Sequence, residues 1–189
     1  MYRDPEAYLE YLKKYPLDFE RHALRKAGYQ ENLAKHLGEG FQVIRPEMPN
    51  KRNARYVEWK IWFEKFFPFL EDGVILAGGS LGGIFLAKYL AENDFPKKIK
   101  ALFLIAAPSA DNPPKYKLLD FALPDSLDKI HSQAEKIFLY HSTDDEGVPI
   151  ADLERYKHAL PEATIRVFND RGHFKYPDLP ELVTDIKSL

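Results

Sequence analysis

A glycine-rich hexapeptide at residues 78–83, GGSLGG, joins two apolar stretches of different character. Residues 74–77 (VILA) have the composition of a buried strand, whereas residues 84–91 have the composition and spacing of a helix. A serine between a strand and a helix in a G-x-S-x-G pattern is typical of a sharp, strained turn that exposes a nucleophilic hydroxyl. We therefore expect Ser80 to be a nucleophile, with Gly78 and Gly82 required because a side chain at either position would collide with neighbouring backbone.

A phosphate-binding loop is the alternative interpretation of this turn, because glycine-rich turns before helices also bind phosphate groups. However, the sequence lacks the lysine of the G-x-x-x-x-G-K-[ST] motif, and it does not match G-x-G-x-x-G. The pattern therefore favours a nucleophilic serine over a phosphate site.

Strands and helices alternate regularly in the second half of the chain. Strands are predicted at residues 73–77, 101–107, 137–140 and 164–168, and helices are predicted after Ser80, at residues 150–160 and at residues 179–188. Strands that are rich in Ile, Leu and Val and separated by helices indicate an α/β fold with a doubly wound, mostly parallel sheet flanked by helices.

The first half has a weaker pattern. Helical segments are predicted at residues 5–16, 19–27 and 31–37, a short strand at residues 41–44, and an aromatic helix from Tyr56 to about Pro68 that should pack against the sheet. The sequence has no internal repeat and no linker composition. We therefore expect residues 1–189 to form a single domain.

Composition narrows the range of partners. The 189 residues include 27 Lys and Arg against 29 Asp and Glu, a formal net charge of -2, so no basic surface for nucleic acid is expected. No apolar run of the sequence is long enough to cross a membrane. Cysteine is absent, which excludes disulfides and thiolate metal sites. The polar, acidic opening residues do not resemble a secretory signal, so we expect a cytoplasmic protein.

Two loops after later strands carry residues that could activate Ser80. Residues 141–149 contain Asp144, Asp145 and Glu146, and residues 169–174 contain His173. A serine hydroxyl needs a base to take its proton and an acid to orient that base, and parallel strands bring such loops to one sheet edge. A metal site built from the acids and a histidine is the alternative, but no metal-binding spacing supports it.

These motifs together resemble the α/β-hydrolase superfamily, and more narrowly the small, lidless serine hydrolases of the retinoblastoma-binding-protein-9/YdeN type. The similarity is carried by residues 78–82, 141–149 and 171–174 (RGHF), and it extends from about Phe41 to Leu189.

The resemblance implies a role for each site residue. The family acid stands in a D-x-x-V-P-like stretch, which makes Asp145 the orienting acid and leaves Asp144 as the alternative. His173 becomes the general base, and the backbone amide of Leu81 becomes an oxyanion donor.

The resemblance has a gap at its N-terminal side. Relatives begin with an apolar central strand whose loop supplies a second oxyanion amide, and nothing before Phe41 resembles that strand. We therefore expect this central strand to be missing from the sheet. Our preferred interpretation is that the natural start lies upstream of Met1. The alternatives are strand exchange, dimerisation or a smaller sheet.

The predicted function is hydrolysis of a small ester, thioester or amide through Ser80, His173 and Asp145, with no cofactor and no metal. The expected partners are a small ester or amide substrate and, as one option, a second copy of the chain. Two alternatives remain: a non-catalytic binding or scaffold protein with the same fold, and acyl transfer to an acceptor other than water.

The site itself is expected to be open, because residues 107–136 are too few for a large lid. Its walls are expected to come from Pro108, Tyr116, Phe121 and Leu123.

Overall fold

The computed structural model describes residues 28–189 and, before them, Glu6, Leu9, Glu10 and Lys13. Those four residues are helical, and the predicted helix at residues 19–27 lies outside the described residues. The helices of residues 28–189 are α1 (Tyr29–Leu37), α2 (Tyr56–Glu64), α3 (Leu81–Glu92), α4 (Ala151–Ala159) and α5 (Pro180–Lys187). The strands of this range are β1 (Val74–Gly79), β2 (Ile99–Ile105), β3 (Ile137–Ser142) and β4 (Thr164–Phe168).

The four strands form one parallel sheet in the order β1-β2-β3-β4. β2 is buried except at Lys100, and β3 is buried along its whole length. A strand covered on both faces must be apolar throughout, which explains the continuous apolar runs in these two strands. The predicted parallel sheet flanked by helices is confirmed.

Helices cover both faces of the sheet. On one face, α2, α3 and α4 pack against Leu102 and Leu104 of β2 in one apolar cluster. On the other face, α1 and α5 pack against Phe103 and Ile105 in a second cluster. Because successive strand residues point to opposite faces, β2 contributes to both clusters and lies at the centre of the core.

The aromatic helix is shorter than predicted. α2 ends at Glu64, and residues 67–69 form a 3-10 turn instead. Trp59 and Phe63 are buried against the sheet as expected, whereas Trp62 is 40% exposed.

β1 lies at the edge of the sheet, although it leads into the serine turn. It pairs with β2 from Val74 opposite Ile99 to Gly79 opposite Ile105. Within residues 28–189 no strand pairs with its other side, and Ala77 is exposed. Among the described strands, the one before the proposed nucleophile is therefore the outermost, which agrees with the expectation that the sheet lacks the central strand of relatives.

The strand predicted at residues 41–44 is wrong, because these residues adopt no regular structure. A groove of about 510 Å³ has residues 40–45 on one side and residues of β1 on the other. A strand needs a hydrogen-bonding neighbour at about 4.8 Å, and no backbone hydrogen bond of the described residues joins residues 41–44 to β1. The apolar pattern of residues 41–44 is therefore not sufficient to form a strand.

Candidate active site

Ser80 lies at a strained turn between β1 and α3. Its φ is 52° and its ψ is -120°, a backbone conformation that is rare for a residue with a side chain. The Ser80 amide donates a hydrogen bond of 2.8 Å to the carbonyl of Ile105, which ties the turn to β2. A Cβ on Gly78 would lie 2.4 Å from the carbonyl oxygen of Gly82, so only glycine fits there.

The prediction for Gly82 is wrong. A Cβ at this position would have nothing within 4 Å. The second close approach occurs at Gly83, where a Cβ would lie 2.7 Å from the Cβ of Ala107 and 2.9 Å from the Gly78 carbonyl oxygen. The last glycine of the hexapeptide is therefore the one that the packing of α3 requires.

Asp145 and His173 are brought together from the loops after β3 and β4. The Nδ1 atom of His173 lies 2.8 Å from Oδ2 and 3.1 Å from Oδ1 of Asp145. The Asp145 side chain is fully buried, whereas His173 is 21% exposed. Because a carboxylate only accepts hydrogen bonds, Nδ1 carries the hydrogen, and Nε2 of a neutral imidazole is left as an acceptor.

The buried carboxylate of Asp145 stays charged because the site supplies hydrogen-bond donors. Burial alone would raise its pKa, but the hydrogen bond from His173 and those from the backbone amides of Val148 and Gly147 outweigh burial and lower the pKa. The two amides lie 3.0 and 2.7 Å from Oδ1. A Cβ on Gly147 would lie 3.2 Å from both Asp145 Oδ1 and His173 Nδ1, so this glycine allows the close fit.

Asp144 has different partners. Its Oδ1 accepts a hydrogen bond from the Ser142 hydroxyl and one of 2.9 Å from the Gly172 amide, and the hydrogen bond from Ser142 lowers its pKa. Asp144 thus joins the acid loop to the histidine loop, whereas Asp145 is the acid that contacts His173.

The loop that carries His173 is fixed on both sides. Phe174 is buried with a φ of 50° and packs edge-to-face on Phe168 at 5.7 Å. Arg171 donates a hydrogen bond of 2.5 Å to Glu181 on α5. The RGHF motif therefore holds the loop against β4 and α5, which places the imidazole.

Ser80 and His173 line the same cavity, which has a volume of about 360 Å³. No hydrogen bond of the described residues joins the Ser80 hydroxyl to His173. Catalytic hydrogen bonds are often long before substrate binds. The amide of Leu81 is the first of α3, and the first amides of a helix have no acceptor within that helix.

The remaining walls of the cavity were missed by the sequence reasoning. Pro108, Tyr116, Phe121 and Leu123 do not line it, so that prediction is wrong. Phe121, for example, is fully buried in the core. The walls instead include the first turn of α1 and the residues after His173; the full lining is Gly28, Tyr29, Gln30, Glu31, Gly79, Ser80, Ile105, Ala106, His173, Phe174 and Lys175.

The first turn of α1 lies at the site because the chain holds it there. Its first amide, that of Tyr29, donates a hydrogen bond of 2.9 Å to the carbonyl of Tyr176, two residues beyond Phe174. Nothing in the sequence near Tyr29 marks it as a site residue, because an aromatic residue in a helix usually belongs to the core.

Two further features of the described residues concern metal-binding groups and membrane-spanning helices. Among residues 28–189 there is no group of three or more His, Asp or Glu side chains placed to hold a metal ion. None of the helices in this part of the chain has the length and apolar character needed to cross a membrane.

Comparison with known proteins gives a consistent result. No protein-family model matches the sequence. The curated protein Serine hydrolase RBBP9 of Rattus norvegicus is 28% identical over 158 residues, which cover 79% of this chain and 78% of that protein. The solved structure of the ydeN gene product from B. subtilis matches with a TM-score of 0.65 at 21% identity, over 75% of this chain and 78% of that one. The chain is an α/β-hydrolase-fold protein.

The resemblance of this α/β-hydrolase-fold protein to the RBBP9/YdeN type is confirmed. A thioesterase domain from the curacin biosynthetic pathway shares the fold, with a TM-score of 0.52 at 14% identity, over 70% of this chain and 73% of that one.

Proposed function

We propose that this α/β-hydrolase-fold protein is a serine hydrolase that cleaves a small ester, thioester or amide through an acyl-enzyme. The observation that carries the proposal is the contact of His173 with the buried Asp145 carboxylate, because His173 lines the same cavity as Ser80 at its strained turn. Similarity to Serine hydrolase RBBP9 of Rattus norvegicus supports the reaction class, and the fold shared with a thioesterase domain is compatible with a thioester substrate.

Acylation begins when Nε2 of His173 takes the proton of the Ser80 hydroxyl. The Ser80 oxygen then forms a bond to the carbonyl carbon, and the carbonyl oxygen becomes an oxyanion. The charged carboxylate of Asp145 holds the imidazole through Nδ1 and stabilises its protonated form. His173 then gives its proton to the leaving group, whose bond to the carbonyl carbon breaks.

Deacylation repeats these steps with water in place of serine. His173 takes a proton from water, the water oxygen bonds to the acyl carbon, and a second oxyanion forms. When this intermediate collapses, the bond to the Ser80 oxygen breaks and His173 returns the proton to that oxygen. In both halves the Leu81 amide and the N-terminus of α3 stabilise the oxyanion. These steps use only side chains, backbone and water.

Covalent labelling with a fluorophosphonate, together with hydrolysis of p-nitrophenyl acetate, tests this proposal. We expect the wild type to be labelled and to turn over the ester, and Ser80→Ala to lose labelling and at least about 10⁴-fold in turnover. Ser132→Ala is the matched control, because this exposed serine donates only to the carbonyl of Lys129. A wild type that is not labelled, or a Ser80→Ala variant that retains its turnover, would refute the proposal.

A non-catalytic binding or scaffold protein is the second candidate, and the observation that favours it is that no strand of residues 28–189 pairs with the outer edge of β1. Such a protein would fold and bind but would not react with the fluorophosphonate, so the same labelling experiment separates the two. The proposal also includes a cytoplasmic location, which cell fractionation tests.

A further inference from the structure

The hydroxyl of Tyr29 lies beside the proposed nucleophile. It is 3.1 Å from the position that a Cβ on Gly79 would occupy, and Gly79 is the residue immediately before Ser80. Tyr29 lines the cavity that contains Ser80 and His173, and it also lines the groove along the outer edge of β1. The hydroxyl is therefore on the side of the serine turn where the sheet ends.

This hydroxyl is a hydrogen-bond donor at neutral pH. Burial raises the pKa of Tyr29 to about 12, and the residue is only 6% exposed. A neutral tyrosine hydroxyl carries one hydrogen, and Tyr29 lines the cavity into which that hydrogen can be donated.

The proposed reaction needs such a donor. An oxyanion with the Leu81 amide as its sole donor is poorly stabilised, because oxyanion sites of acyl-transfer enzymes usually supply more than one. On the outer side of β1, no strand or strand loop of residues 28–189 offers a second amide. The backbone amide of Tyr29 already donates to Tyr176, and Lys175 is exposed at the rim.

We propose that the Tyr29 hydroxyl is the second oxyanion donor and hence a catalytic residue of this enzyme; the inference rests on the proposed hydrolase function. Tyr29 is held in place before substrate binds. Its ring belongs to the apolar cluster that also includes residues of α5. At the start of α1, the Gly28 amide donates a hydrogen bond of 2.8 Å to the Glu31 carboxylate. A donor fixed in this way needs no reorganisation when the charge develops.

The absence of a side chain at residue 79 is part of the arrangement. A methyl group there would sit at 3.1 Å from the Tyr29 hydroxyl oxygen, which is closer than ordinary contact, so the hydroxyl would have to move by a few tenths of an ångström. Oxyanion donors act over a narrow range of distance, so a displacement of this size weakens the hydrogen bond.

The first test compares Tyr29→Phe with the wild type in ester hydrolysis. We expect kcat to fall by on the order of 10²–10³ with KM nearly unchanged, because the lost hydrogen bond forms only with the oxyanion. Tyr89→Phe is the matched control. It also removes the hydroxyl of a buried tyrosine, but that hydroxyl is 3.1 Å from Glu64 and does not line the cavity. Its kcat should stay within about threefold of the wild type.

The second test is a double-mutant cycle with Gly79→Ala. We expect Gly79→Ala to lower kcat in the wild type but to have little further effect in Tyr29→Phe, because the added methyl acts by displacing the hydroxyl. Additive losses in the cycle would contradict the inference. Thermal melts of all variants confirm that each is folded.

The outcomes distinguish this inference from the proposed function. A wild type that is neither labelled nor active refutes both. An active wild type, an inactive Ser80→Ala and a Tyr29→Phe variant with kcat within threefold of the wild type refute the role of Tyr29 alone.

Discussion

Replacing Asp145 by asparagine should inactivate the enzyme while leaving its structure almost unchanged. Asparagine has the same shape, and its oxygen can still accept the amides of Gly147 and Val148 at 2.7 and 3.0 Å. Its NH₂ group would then face Nδ1 of His173, 2.8 Å from the present Oδ2 position. Two donors cannot share a hydrogen bond, so Nδ1 must give up its hydrogen and Nε2 must carry it.

An Nε2 that carries a hydrogen cannot take the proton of Ser80. The variant also loses the negative charge that stabilises the imidazolium. For a serine triad this change of tautomer lowers kcat by on the order of 10⁴-fold, which corresponds to about 5.4 kcal/mol of transition-state stabilisation. We expect a loss of that size for Asp145→Asn, measured as kcat for ester hydrolysis at pH 7–8.

Asp144→Asn is the control for this experiment. Its oxygen can keep the hydrogen bonds from Ser142 and Gly172, whereas the imidazole of His173 bonds to Asp145. We therefore expect a loss of about tenfold or less. The reasoning is refuted if Asp145→Asn keeps kcat within tenfold of the wild type, or if the two variants lose activity equally.

Four further substitutions test the packing of α3, the contribution of Asp185 to stability and the outer edge of β1. Gly83→Ala should lower the free energy of unfolding by about 1–3 kcal/mol through its 2.7 Å contact with the Ala107 Cβ, whereas Gly82→Ala should be neutral or slightly stabilising in urea titrations. Hydrogen bonds from Arg166 lower the pKa of Asp185. The charged carboxylate therefore contributes fully to stability above about pH 4, and this contribution is lost as the pH falls through the lowered pKa. Asp185→Asn should lower the free energy of unfolding by about 1–3 kcal/mol at pH 7, and this difference from the wild type should shrink towards pH 2. If the chain dimerises through β1, Ala77→Lys on its exposed edge should shift sedimentation towards the monomer; an unchanged dimer would place the interface elsewhere.

The sequence was sufficient to predict the strands of the second half. β2 and β3 are buried on both faces, and a strand buried in this way must be apolar along its whole length. Their continuous apolar runs could therefore be recognised within each segment, without knowledge of its neighbours. The segment at residues 41–44 has a similar pattern, but no strand of residues 28–189 pairs with it, and pairing depends on the rest of the chain. An apolar run therefore predicts burial better than it predicts a hydrogen-bonded ladder.

In the candidate site, the residues that stand in local motifs were predicted from the sequence, whereas a residue brought there by long-range packing was not. Ser80 and His173 stand in short motifs whose local geometry the motif itself determines. Asp145 and Asp144 are neighbours, and only the resemblance distinguished them before the loop geometry was known. Tyr29 reaches the cavity through the packing of α1 on the sheet, and such a long-range contact leaves no local pattern in the sequence.

The position of β1 determines how the two side chains that we propose to react are held relative to one another. Ser80 follows β1 and His173 follows β4, so their separation is set across three successive strand interfaces. Because no strand of residues 28–189 supports the far side of β1, a small twist of the sheet would displace the serine towards or away from the imidazole. In the proposed hydrolase, a molecule that stiffened this outer strand would therefore change the turnover rate without touching the substrate.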